Sequence, residues 1–387
     1  MKSIVTVFVL ILSLNSRGQT NEAFAPKPSG PFAVGFRTME WVDSSRPEPT
    51  GSAQFRTLPV VIWYPAQKSK VEEAQNILPG SWRTEQVKFF NKKLGESASA
   101  FLNQLKTWSV SGAAVAGVAE KWPVLVFGPG LTWTPAEYSS LIEEIVSNGY
   151  IVVAYVPTGF AGVTQLMNGK IVGGSLDVPQ QDILFKDALF VETHLAWLQN
   201  GWLKEHIDIH NVGVFGHSIG GAAALVSAAK DSSVKAVVDL DGDLMGSALA
   251  DKVSQPSLFL CHDERNSIAK AEKKMEKEGR ERSEYRRHSD WVKATDDAEI
   301  SLRLRITDIE HLNFTNLGLI PQSGMTGSER KNKLGEAEGI SSLKLIADIT
   351  RQFFDYCLKH ASFYTMVTLE QKYPKVQALL WKGLPGY

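Results

Sequence analysis

Residues 213–225, Gly-Val-Phe-Gly-His-Ser-Ile-Gly-Gly-Ala-Ala-Ala-Leu, begin as a buried strand and end as a helix of small residues. Between them, Gly216-His217-Ser218-Ile219-Gly220 puts a serine between glycines where strand and helix approach most closely. A strand entering a helix through Gly-x-Ser-x-Gly has the pattern of a nucleophile elbow, which holds its serine above a parallel sheet. No other stretch constrains the fold as tightly. The helix N-terminus directs free N–H groups and the positive end of its dipole at the serine. Ser218 is therefore expected to attack a carbonyl carbon, with the Ile219 N–H receiving the developing oxyanion. Two other readings compete: a packing turn whose serine is merely small, and a binding protein that keeps the fold without catalysis.

The rest of the chain has a matching rhythm. Pro31 to Ala66 alternates apolar and polar residues around a turn-rich Ser44–Pro49, which predicts an N-terminal antiparallel hairpin. Residues 67–120 read as an amphipathic helical insertion, with Phe101, Leu102, Leu105 and Trp108 at helical spacing. Strands are then expected at 123–127, 150–156, 212–215, 234–240, 257–261 and 300–306. Helices are expected at 134–148, 180–199, 219–229 and 341–358, the first begun by Thr134-Pro135-Ala136-Glu137. Alternating strands and helices imply a mostly parallel sheet with helices on both faces, the α/β-hydrolase arrangement. A charge-dense stretch at 265–299 reads as a solvated insertion.

Formal net charge is −1, from 41 basic and 42 acidic residues, so no bulk attraction to nucleic acid or anionic membrane is implied. Lys2, the eleven-residue apolar run Ile4–Leu14 and small residues before position 19 form the pattern of a secretory signal peptide at 1–18. Ala23-Phe24-Ala25 offers a second cleavage site, disfavoured by Pro26. Eleven residues fall short of a bilayer core of about 30 Å. The expected product is a secreted or periplasmic protein without an integral membrane segment, residues 19–387 forming one domain with the two insertions. Cys261 and Cys357 are expected as buried thiols, since nothing in the sequence brings them together.

A serine needs a base oriented by an acid, and in this fold the order is serine, acid, histidine. Of the histidines after Ser218, His311 follows the last predicted strand and is favoured as base. His262 lies directly after a strand, His288 in the charged insertion and His360 in the terminal helix. The acid stays open on spacing: Asp239, Asp241 and Asp243 follow one strand, and Asp263 and Glu264 the next. His206, Asp208 and His210 could share a strand face, but no second ligand cluster accompanies them, so no metal is expected. Asn313-Phe314-Thr315 fits the glycosylation pattern yet lies beside the candidate base.

Three short stretches carry a resemblance: Gly216-His217-Ser218-Ile219-Gly220-Gly221-Ala222, Asp239-Leu240-Asp241-Gly242-Asp243 and His311-Leu312-Asn313-Phe314. They resemble the platelet-activating-factor acetylhydrolase family, secreted α/β-hydrolases related to bacterial dienelactone-hydrolase-like esterases. The likeness spans roughly residues 31–65 and 120–360. It implies Asp241 as the acid, 23 residues after Ser218, and Leu131 as the second oxyanion donor beside Ile219. Where that family usually has His-Gly and Phe, this chain has Pro129-Gly130 and Ile219, changes that spare backbone donors. The implied activity is a cofactor-independent serine esterase acting on esters with short or truncated acyl groups, including platelet-activating-factor-like phospholipids. The alternative within enzymes is a general or polyester carboxylesterase with Asp263 as acid.

Overall fold

The computed structural model describes residues 24–68, 76–78, 80–117, 121–263 and 286–386. The expected leader and residues 264–285 of the charged insertion lie outside them. Strands β1 (Ala33–Pro47) and β2 (Phe55–Ala66) form the expected hairpin. They are followed by β3 (Ser109–Ser111), β4 (Trp122–Gly128), β5 (Ile151–Tyr155) and a small separate hairpin of β6 (Val163–Gln165) with β7 (Ile171–Gly173). Then come β8 (Ile207–His217), β9 (Val234–Leu240), β10 (Ser257–His262), β11 (Ser301–Ile306) and β12 (Val376–Lys382). One ten-stranded sheet runs β12-β11-β10-β9-β8-β4-β5-β2-β1-β3. From β11 to β5 every neighbouring pair is parallel, while β12 closes one edge and β2 the other side antiparallel.

Side chains alternate across this sheet with the period of two that a pleated strand imposes. Leu125 and Phe127 of β4 join one core with Leu141, Ile142 and Ile145 of α3 (Ser139–Ser147) and with Ile346, Ile349 and Phe353 of the long helix Gly339–Lys359. Val124 and Val126 join the other, against Leu184, Phe185 and Ala188 of α4 (Gln181–Thr193) and Ala222–Val226 of α6 (Ile219–Lys230). Both faces are covered, so the central strands read as unbroken apolar runs. This is the α/β-hydrolase architecture. Among the described residues, no helix is long and apolar enough to cross a membrane. Cys261 is buried and Cys357 half-buried, and no disulfide is formed among the described residues. Burial pushes the Cys357 thiol up to about 12.

Several elements differ from expectation. Within 67–120, helices α1 (Gly80–Leu94) and α2 (Glu96–Gln104) end before Leu105 and Trp108. The chain instead turns extended and pairs β3 with β1. The cause is the buried Glu143 of α3, whose carboxylate accepts the N–H groups of Trp108 (3.1 Å) and Ser109 (2.9 Å) and the Ser109 hydroxyl. The predicted helix 180–199 breaks after Thr193, with α5 (Ala196–Gln199) as a separate turn. The helix expected from 134 begins as a 3₁₀ turn, Pro135–Tyr138, under a Thr134/Glu137 capping box.

Two consequences follow for stability. Arg56 of β2 is fully buried and donates to Asp187 (2.5 and 3.0 Å), to Glu48 (3.1 Å) and to the Thr158 carbonyl (2.8 Å). Arg56→Ala leaves Asp187 with Arg46 (3.0 Å) and Glu48 with Thr50 and Thr57 but takes the buried cation from between them, and should cost about 3 kcal/mol, read from urea unfolding. Burial raises the Glu143 carboxyl from 4.5 to about 7. A folded-state value above the unfolded one gives stability that is full below about 4.5 and lost as pH rises through 7. The free energy of unfolding should therefore fall between about pH 5 and 7, and vary less across that window in Glu143→Gln, read from urea unfolding.

Candidate active site

The elbow forms because three backbones meet without side chains between them. A Cβ on Gly216 would stand 2.2 Å from the Gly220 carbonyl oxygen, and one on Gly220 would stand 2.1 Å from that of Gly128. With β8, β4 and the start of α6 this close, the chain must reverse within one residue, and Ser218 takes φ 57°, ψ −126°. Such a conformation is strained for any residue with a Cβ. Three other non-glycine residues of positive φ flank the same region: Thr132 (75°), Asp241 (59°) and Asp308 (64°). The strain collects where β4, β8, β9 and β11 deliver their loops, the carboxyl edge at which open α/β sheets bind ligands.

Asp241 follows the last residue of β9 and is fully buried. Its Oδ2 lies 2.5 Å from Nδ1 of His311, whose side chain is 38% exposed on the loop after β11. The carboxylate accepts, so His311 Nδ1 carries the proton and Nε2 presents its lone pair. Of the other acids weighed, Asp239 is buried on β9 and accepts the Gly242 N–H (2.7 Å), and Asp243 is exposed. The Ser218 hydroxyl makes no hydrogen bond among the described residues, so Oγ is unengaged, a common state before substrate tightens the site. The N–H groups of Leu131 and Ile219 likewise meet no acceptor among the described residues. Leu131 sits in the loop after β4, held by its strained neighbour. Thr132 N–H donates to the Phe160 carbonyl (3.1 Å), its carbonyl accepts from Gly162 (3.0 Å), and Lys93 of α1 reaches its hydroxyl.

A buried polar chain ties these loops together. The Gly130 N–H donates to the Tyr138 hydroxyl (3.0 Å), and that hydroxyl lies 2.8 Å from His217 Nδ1. His217 Nε2 lies 3.1 Å from the His311 carbonyl oxygen. A carbonyl can only accept, so Nε2 bears the His217 proton and Tyr138 donates to Nδ1. Burial holds the Tyr138 phenol well above its ordinary value, which keeps the donor in place. His217 also stacks on Phe314 (centroids 5.7 Å apart) within the turn that carries His311.

The sequence reading missed Tyr138, which sits in a helix start with no pattern of its own, and the contact between His262 and Asp241. His262 ends β10, and its Nδ1 lies 2.7 and 2.8 Å from the two oxygens of Asp241. The only signal was its place after an apolar strand next to the acid's strand. His206, Asp208 and His210 do not converge: His206 stacks on Trp122, and Asp208 accepts the His210 N–H (3.0 Å). Among the described residues, the one group of ligand-type side chains whose atoms lie within 4.8 Å of one another is His217, Asp241 and His311. Those atoms are spent on one another, on Tyr138 and on main chain, which does not fit a resident ion. Asn313 is fully buried and its Oδ1 accepts the Glu310 N–H (2.9 Å), so the glycosylation pattern there is sealed inside the fold.

The ten-stranded, mostly parallel sheet covered by helices on both faces, with a strained serine between β8 and α6, defines the α/β-hydrolase class. Within that class, the chain belongs to the family described as platelet-activating factor acetylhydrolase, isoform II, whose sequence profile matches residues 17–157 and 186–360. It is similar to a probable 1-alkyl-2-acetylglycerophosphocholine esterase of Arthroderma benhamiae, 28% identical over 242 residues covering 58% of this chain. It is similar also to a platelet-activating factor acetylhydrolase of Cavia porcellus, 23% identical over 308 residues covering 69% of this chain. The chain spans 60% of the first relative's length and 66% of the second's. A ferulic acid esterase from Streptomyces cinnamoneus shares the fold, with a TM-score of 0.73, 23% identity, and coverage of 93% of this chain and 100% of that one.

If backbone contact builds the elbow, a single methyl group should dismantle it. Gly220→Ala would force the Gly128 strand end and α6 apart and should cost about 3 kcal/mol or more, measured by chemical denaturation.

Proposed function

We propose that this protein is a serine carboxylic-ester hydrolase. The observation that carries the reading is the strained Ser218 at the turn between β8 and α6, together with the His311–Asp241 pair on the loops after β11 and β9. His311 Nε2 takes the Ser218 proton as Oγ attacks the ester carbonyl, and the N–H groups of Leu131 and Ile219 receive the oxyanion. The protonated His311 then hands its proton to the leaving alcohol, leaving an acyl group on Ser218. Water, deprotonated by the same imidazole, releases the acid and restores the serine. Asp241 stays ionised, orienting the ring and stabilising its cationic form. The reaction needs no cofactor.

Family membership and the two acetylglycerophosphocholine-type relatives support esters with short or truncated acyl groups, including phospholipids of that kind, as substrates. We read residues 1–18 as a leader and the protein as exported, with residues 19–387 forming one domain.

Hydrolysis of nitrophenyl esters of increasing acyl length tests this, with Ser218→Ala as the blank. Activity should concentrate on short chains and fall about 10³-fold or more in Ser218→Ala. Asp241→Asn should lower kcat by at least about 10²-fold while Asp263→Asn leaves it near wild type. The reverse order would make Asp263 the acid. Wild-type protein inert on every ester would favour a non-catalytic binding role.

A further inference from the structure

Asp241 is shared by two imidazoles, and the reaction just described uses one. His311 Nδ1 lies against Oδ2 at 2.5 Å. His262 comes from the other side with two donors: its backbone N–H reaches Oδ1 (3.1 Å), and its Nδ1 lies 2.8 Å from Oδ1 and 2.7 Å from Oδ2. An ionised carboxylate only accepts, so the Nδ1 of each ring carries a proton. The His262 side chain is 9% exposed, which makes the bond a buried one that water does not replace.

On the reading that Ser218, His311 and Asp241 perform ester hydrolysis, we propose that His262 is a positioning residue for that reaction. It fixes the rotation of the Asp241 carboxylate, so that one lone pair of Oδ2 stays aimed at His311. A main-chain anchor does not set the rotation of the carboxylate; the donors around it do. Asp241 sits at φ 59° beyond the end of β9, where its N–H donates to the Leu260 carbonyl (2.8 Å) and leaves the carboxylate to side-chain and neighbouring donors. His262 also bridges two loops. Its Nε2 stands 4.0 Å from Oε2 of Glu310, the residue that precedes His311 and caps its turn. The ring therefore touches the acid on one side and the base's loop on the other.

The experiment compares wild type, His262→Asn, His262→Ala and Ser218→Ala on one short-chain nitrophenyl ester, with thermal melts of each. An asparagine amide can supply the donor. His262→Asn should hold kcat within about 3-fold. His262→Ala should lose about 10-fold or more in kcat with KM within about 2-fold, since substrate contacts are intact. The proposal is overturned if His262→Ala matches wild type in kcat, or if His262→Asn falls as far as His262→Ala. Should His262→Ala fail to fold, His262→Phe, which keeps the ring and lacks the donor, takes its place, and wild-type kcat in it overturns the proposal. A wild-type protein no more active than Ser218→Ala defeats the hydrolase reading itself, a different result from an active wild type indifferent to His262.

Discussion

Everything at this site depends on the approach of three main chains. The carbonyl oxygen of Gly128 and the carbonyl oxygen of Gly220 occupy the space where side chains would otherwise stand, and only glycines at 216 and 220 allow it. That contact brings α6 hard against the ends of β4 and β8, so the connection between strand and helix is a single residue in a strained conformation. Strain in one residue costs of order 1–3 kcal/mol, and the sheet and helix packed on either side sustain it. Its effect is geometric. Ser218 stands at the sheet's carboxyl edge, and the first N–H of α6 follows it, with no acceptor among the described residues.

Two polar systems hold the remaining parts to that turn. The chain Gly130–Tyr138–His217–His311 links the loop after β4 to the residue preceding Ser218 and then to the main chain of the candidate base. The carboxylate of Asp241 links the ends of β9, β10 and the loop after β11. Both are buried, where an unpaired donor or acceptor is costly, and this favours one arrangement over its alternatives. The candidate oxyanion donors, nucleophile, base and acid thus arise on four strands, and neighbouring loops hydrogen-bond one another directly.

Much of this was legible before any coordinates. The elbow at 216–220 and the parallel rhythm from 123 to 306 follow from local pattern, because a buried parallel strand and a small-residue helix each leave an unambiguous trace. The place of His311, on the loop after β11, was legible from chain order alone. The partner of His311 was not: three aspartates lie within five residues, and Asp241, the one that meets it, sits at a positive φ just beyond β9. Only the family resemblance pointed to it. The strand at Ser109–Ser111 was hidden because its pairing is set by Glu143, 34 residues away from Ser109. His262 was hidden for a similar reason, since its partner comes from the neighbouring strand. The last strand, Val376–Lys382, lies beyond the stretch in which the reading placed elements, and it pairs with β11 across a long helix.

The account stands on Ser218 being the residue that becomes acylated. Incubation with a fluorophosphonate, followed by peptide mapping of the adduct by mass spectrometry, asks this directly. A stoichiometric adduct confined to Ser218, formed far more slowly when Asp241 is replaced by Asn, is the predicted result. Label on another residue, or none on a folded protein that still hydrolyses esters, would contradict the account.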